Sequence, residues 1–444
     1  MNINYFAENY KLFTLKMLYP QKEYVYTCTA DNAVKLNRDF IYLPMISWDN
    51  NVLDAVANVF SNHYCKGIVL NQKIIESKNL KLMFHLFMKK YSSNLEVILL
   101  TNNVYNLTYY LAVELSKQYQ FKTVSIIGTS ETSTVKEMLV YNLEGKCKIT
   151  YPQNNWNCWQ KLFESVLSAD AETEYAIIEA VPEKYNLVLH IPSYYNNHLI
   201  FTCSSLYNMN LYKDLDDLSD ELVKVFSKDF NVESIWTCID NEFINSKIPY
   251  RYQDRLHFVP VQAVNTFEQD FYYLDYCYSL VYAFLKFQNE GFICGENFKE
   301  NFALYNEFNY KNSSFFVINK DKISYKCVKA TLEVFFKKYP DKKKVVILEH
   351  IPNLADFKEP VYSEIFESLA CLSPDILVLV NTNKYIHLYK KHNNKTYVKY
   401  MPYAEDNTES KLNLEILLSD IISEDIAVYI SSIHDFSWIY GGIG

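Results

Sequence analysis

The feature that most limits the fold of this chain is an alternation of two kinds of segment. Short apolar runs read as strands: "DFIYLPMI" (39–46), "CKGIVL" (65–70), "NLEVILL" (94–100), "TVSIIG" (123–128), "EYAIIEA" (174–180), "HLIFTCSS" (198–205) and "SIWTCID" (234–240). Four more follow, at "SFFVIN" (314–319), "KKVVILEH" (343–350), "PDILVLVN" (374–381) and "EDIAVYIS" (424–431). Between them lie stretches with apolar residues at helical spacing, among them 52–64, 104–119, 211–226, 267–287, 327–339 and 411–422. Strands that are apolar on both faces and alternate with helices predict an α/β protein with mostly parallel sheets covered by helices.

The 444 residues exceed what a single core usually serves, which predicts several domains. Three are expected: a small α/β domain over 1–103, a central mostly parallel sheet domain over 104–289, and a third over 290–444 that resembles a dinucleotide-binding fold. With 49% apolar and 21% charged residues the chain has ample material for these cores. A net charge of −9, without a basic block, argues against a nucleic-acid partner. Ten cysteines without a CxxC pair and nine dispersed histidines predict reduced thiols and no dedicated zinc site. No apolar run is long enough to span a bilayer, so a cytoplasmic protein is expected. His63 and His198 read as ordinary polar positions, and Trp156 and Trp159 as core or interface residues.

One stretch carries a chemical signal. "KTVSIIGTSETSTVKEML" (122–139) runs from strand through a short loop into a helix, the arrangement that presents helix amides to phosphates. The loop Gly128, Thr129, Ser130, Glu131, Thr132, Ser133, Thr134 has one glycine and no lysine. The whole chain has only eight glycines, and tight phosphate loops need glycine for backbone conformations that a Cβ disfavours.

The order of such fragments resembles the Mur ligases, and within them the branch that adds D-alanyl-D-alanine to the UDP-N-acetylmuramoyl tripeptide. "GTSETSTVKEM" is similar to the family's phosphate loop Gly-Ser-x-Gly-Lys-Thr-Thr-Thr-Lys-Glu-Met at Gly128, Thr134, Lys136, Glu137 and Met138. Glu131 stands at the second glycine and Thr132 at the loop lysine. "AIIEAVPEKY" retains Glu179, the glutamate that holds magnesium in the family. In the next motif Thr202 is kept, Asn208 replaces a histidine, and Leu222 falls where a carbamylated lysine is expected, with Lys224 nearby. The purine-side His-Asn looks like Val264 and Asn265. An Asp-Ser-Tyr-Asn of the third domain aligns with Asn319, Lys320, Asp321 and Lys322, and a glycine-rich motif after it with "LEHIPNLA". In the first domain Asp31, Asp39 and Asp49 match aspartates of the substrate-binding motifs. Asp31 and Asp49 read first as turn or cap residues and second as contacts to a substrate head group.

The resemblance implies three domains and a reaction in which ATP activates a carboxylate to an acyl phosphate that an amine attacks. That chemistry needs the phosphates held by a lysine, helix amides and Mg²⁺. Thr132 removes a positive charge from the site, and Glu131 adds a negative one. Unit charges 4 Å apart interact by roughly 4 kcal/mol at an effective dielectric of 20, so the exchange is costly. Glu179 reads either as a metal-holding carboxylate or as a salt-bridged one. Two functions are therefore expected. The first is a catalytically degenerate protein that works by binding, as partner of an active ligase or receptor for a peptide or sugar-nucleotide, without cofactor. The second is a diverged amide ligase using Mg-ATP, in which Lys136 or Lys224 supplies the missing charge.

Overall fold

The structure is a computed structural model. It describes residues 3–44, 58–73, 78–129, 131–152, 160–181, 194, 197–202, 212, 214–227, 232–239, 241–261, 272–293, 305–310, 312–318, 325–349, 358–381, 385–392, 396–401 and 425–431. The predicted helix 411–422, residues 52–57 of the predicted helix 52–64, and Trp156 and Trp159 lie outside the described residues.

Three sheets are built in chain order. The first contains β1 (Phe13–Met17), β2 (Val25–Thr27), β3 (Phe40–Tyr42), β4 (Cys65–Asn71) and β5 (Val97–Thr101), ordered β1-β5-β4-β3-β2. The second contains β6 (Lys122–Ile127), β7 (Ile149–Thr150), β8 (Tyr175–Ala180), β9 (Asn197–Phe201), β10 (Val232–Cys238) and β11 (Leu256–Val259), ordered β11-β10-β9-β6-β8-β7. The third contains β12 (Tyr305–Tyr310), β13 (Ser313–Ile318), β14 (Lys343–Glu349), β15 (Ile376–Val380), β16 (Tyr397–Met401) and β17 (Ile426–Ser431), ordered β12-β13-β17-β14-β15-β16. Only the edge strands β1 and β12 run antiparallel to their neighbours among the described pairs. The predicted parallel α/β character is therefore observed. The edge strands β1, β2, β11, β12 and β16 escaped the sequence reading because edges alternate with polar residues or are short.

Period-two alternation sorts each central strand onto two apolar faces. In the second sheet Val124, Ile126, Tyr175 and Ile177 face one core, together with the helices Thr132–Leu143 and Tyr272–Phe287. Ile127, Ala176, Ile178 and Phe201 face another, shared with the helices Val104–Tyr119 and Gln160–Leu167. That second core continues into Ile41, Val69, Val97 and Leu99 of the first sheet. The first continues into Phe316, Val346, Leu379 and Tyr429 of the third. Each outer sheet thus completes its burial against one face of the middle one.

Polar bonds fix the first of these junctions. The carboxylate of Glu164, on the helix Gln160–Leu167, accepts from the backbone amides of Cys28 (2.9 Å) and Thr29 (3.0 Å) and from the Thr27 hydroxyl (2.6 Å). These donors lie at the end of β2 and just before the helix Ala30–Ala33, so a carboxylate of the middle unit seals a helix start of the first. Arg38 reaches across the same junction to Asp170 at 2.7 Å and to the Ser168 carbonyl at 2.9 Å.

Inside the second sheet His198 is buried, and its Nδ1 lies 2.9 Å from the Ser234 hydroxyl, which also accepts from Trp236 Nε1 at 2.7 Å. Burial pushes the His198 imidazole down to about 4, with the charge of Lys122 acting in the same direction. The ring is neutral at pH 7 and shares one hydrogen bond with the Ser234 hydroxyl through Nδ1. This agrees with the sequence reading of a polar position rather than a ligand.

Two outcomes follow. Glu164→Ala removes the acceptor shared by the Thr27, Cys28 and Thr29 donors in a buried junction, so urea unfolding should show a loss of about 3 kcal/mol, with faster amide exchange at Cys28 and Thr29. For His198 the unfolded chain takes up a proton near pH 6.5 and the folded chain only near 4, so stability falls as pH drops through that window. Unfolding midpoints measured from pH 7 to pH 4 should contain a component of up to about 1.4 kcal/mol per pH unit that is missing from His198→Gln.

Candidate functional site

In the second sheet β6 lies between β8, whose partners run to one edge, and β9, whose partners run to the other. Ligands of open α/β sheets bind beyond the carboxyl ends of strands at such a reversal. Gly128, Glu179 with Ala180, and Thr202 stand at the ends of these three strands.

Gly128 is there because nothing larger fits. A Cβ at this position would lie 1.9 Å from Thr202 Oγ1. Its amide donates to the Ala180 carbonyl at 3.3 Å, and the Thr202 amide donates to Ile127 at 2.8 Å. Asn241, buried beside them, donates to the Thr202 carbonyl at 3.0 Å. The three strand ends are thereby pinned together. Asn241 carries no motif signal, and only the meeting of β9 and β10 places it.

Glu131 immediately precedes the helix Thr132–Leu143 with φ +63° and ψ −1°. This is the left-handed conformation that glycine adopts freely and that costs a residue with a Cβ on the order of 1–2 kcal/mol. A carboxylate-bearing residue thus stands in a backbone conformation that favours glycine, at the start of the helix. Its side chain makes no capping hydrogen bond to the helix start.

Behind the loop Glu179 is enclosed. Lys136 Nζ lies 3.0 Å from its Oε2, with the two side chains 3% and 5% exposed. The Thr132 hydroxyl donates to Oε1 at 2.9 Å, and the Ser133 hydroxyl donates to the same oxygen. One turn of helix separates Thr132 and Ser133 from Lys136, so all three point at the end of β8 from one helix face. Of the two sequence readings of Glu179, the structure shows the salt-bridged one. Removing either partner of such a buried pair typically costs about 3–5 kcal/mol.

The fit to magnesium is poor. Both Glu179 oxygens already accept from groups of the chain itself, and an ammonium occupies the side where a cation would have to bind. Among the described residues no three His, Cys, Asp or Glu side chains converge on a point. Leu222, at the position of the family's lysine, is fully buried in the core of the helix Leu215–Val223. Lys224 pairs with Glu221 on the following turn. Thr129 and Thr134 are buried at the loop, beside Gly128 and in the first turn of its helix. Asp31 belongs to the short helix Ala30–Ala33, away from these strand ends in sequence and in a different sheet unit. Ser130, Asp49, Asn208, Asn265 and Asn319 lie outside the described residues.

No protein-family model matches the chain. A stretch of 139 residues, 31% of the chain, is 30% identical to the UDP-N-acetylmuramoyl-tripeptide–D-alanyl-D-alanine ligase of Borreliella burgdorferi. It spans about a third of that relative, 30% of its length. The full architecture is similar to MurF from Acinetobacter baumannii, with a TM-score of 0.67 at 12% identity over 97% of this chain and 96% of that one. It is also similar to MurF ligase from Thermotoga maritima solved with ADP, with a TM-score of 0.62 at 12% identity, covering 92% and 94%. At such identities the likeness establishes the fold. The three sheets and their order give the chain the fold of the MurF structures, the three-domain fold of the Mur ligases.

Proposed function

We propose that this chain uses the Mur ligase scaffold for binding rather than for ATP-driven amide formation, as partner of an active ligase or as receptor for a peptide or sugar-nucleotide. The observation that carries the reading is the closed state of Glu179, whose oxygens are held by Lys136, Thr132 and Ser133. A carboxylate neutralised from within has little to gain by exchanging its ammonium for a hydrated magnesium ion. Glu131 adds a negative charge at the mouth of the loop, where the phosphates would lie.

The competing reading, a diverged ligase that rebuilt its phosphate site, draws on the helix Thr132–Leu143, whose start follows the end of β6 and takes no side-chain cap from Glu131. It also needs a cation to replace the loop lysine. Lys136 and Lys224 are both engaged with carboxylates, Glu179 and Glu221. That weighs against it.

Calorimetry with Mg-ATP on the purified chain tests the choice. No saturable heat below millimolar nucleotide is expected, whereas low-micromolar binding with ADP release on adding amino acids or dipeptides would overturn the binding reading. A thermal-shift series with UDP-sugars and acidic peptides should find the ligand that raises the melting temperature, since such a ligand binds only the folded chain. Glu131→Gly is expected to raise stability by about 1 kcal/mol in urea unfolding by relieving the left-handed backbone, without restoring tight nucleotide binding.

A further inference from the structure

A second site lies at the far edge of the middle sheet. Beside β11 is a cleft of about 680 Å³ lined by aromatic residues of β10, β11 and the helix Tyr272–Phe287. Trp236 and His257 stack at 4.1 Å with rings 10° apart, and Phe287 closes on both, 5.3 Å from the first and 5.1 Å from the second. Phe258 and Phe287 are 48% and 50% exposed, an unusual state for phenylalanine on a well-packed protein. Lys286 is the one Lys, Arg, Asp or Glu among the described residues lining the cleft.

Every residue from 256 to 260 touches this cleft. Side chains of a strand alternate between the two faces, so a cavity that meets five consecutive residues lies along the strand's edge, where main-chain groups are presented. Among the described residues β11 pairs only with β10. The Val259 carbonyl accepts from the Ile239 amide on the β10 side. Since the N–H and C=O of one strand residue point the same way and alternate along the strand, those of Phe258 point outward, whereas the Leu256 N–H donates to the Gln253 carbonyl. The edge therefore offers hydrogen bonds, an apolar pocket beside them and one positive charge.

We infer that this cleft binds an extended peptide segment that adds a strand to β11, placing an apolar or aromatic side chain against His257 and Phe287 and a carboxylate on Lys286. Main-chain pairing supplies affinity and the pocket supplies selection, as in other strand-addition sites. The acidic character of the ligand follows from Lys286 alone among the lining charges. The site involves none of the phosphate-loop residues, so it stands whether or not that loop holds nucleotide.

Random decapeptides displayed on phage and selected on the full-length chain test it. Enriched sequences should alternate apolar and polar residues and carry Asp or Glu, and a synthetic copy should shift tryptophan emission on binding. Phe258→Pro removes an outward N–H without touching the β10 side and should weaken that peptide at least about tenfold. Lys286→Glu, an exposed substitution that leaves the edge intact, should weaken acidic peptides and select basic ones instead. Peptides that bind both variants as well as the parent chain, enrichment of helical patterns, or no enrichment would each overturn the inference. So would concentration-dependent dimerisation abolished by Phe258→Pro, which would show that a second copy covers this edge.

Discussion

The ion pair between Lys136 and Glu179 holds together the part of the molecule on which any reading of its function turns. It joins the helix after β6 to the end of β8, and with Thr132 and Ser133 it uses both oxygens of the carboxylate. At 3% and 5% exposure neither charge retains much water, so the pair persists only because each partner is fully committed to the other and to its hydroxyl neighbours. The loop above it is held in the same spirit. Gly128 is locked by the close approach of Thr202, and Thr202 is held in turn by Asn241. The Glu179 carboxylate and the Thr202 carbonyl beside this loop are thus satisfied by groups of the chain itself.

Burial at both faces of the middle sheet makes the three units interdependent. One apolar cluster runs from the first sheet to the second and another from the second to the third. Glu164 and Arg38 add directional bonds at the first junction, where a carboxylate of one unit caps the backbone of its neighbour. At the opposite edge of the same sheet, β11 is left with exposed aromatics and an outward main chain. The contrast is physical: junctions between units are closed by charge and core, whereas this edge is closed by neither among the described residues.

Much of this was legible in the chain. The run "TVSIIG" became β6, 104–119 became a helix with those limits, and the alternation of strand and helix gave parallel sheets. The left-handed backbone at Glu131 falls at the position where the resemblance set a glycine, the residue type that such a turn favours. The short edge strands were not legible, since β2, β7 and β11 carry too few residues to show a period. Nor was Glu164, which reads as an ordinary polar residue on an amphipathic helix until β2 is packed against it.

The sequence by itself determined which central segments are strands, and that the loop at Gly128 carries one glycine and no lysine, because propensity, periodicity and residue identity are local properties. Only the tertiary structure decided what the surviving charges do. Lys136 and Glu179 lie on different elements, and their meeting depends on β6 and β8 pairing in register, Ile126 beside Glu179. The same pairing makes Glu179 the buried half of an ion pair, since a charge taken from water binds whichever partner the fold brings within reach.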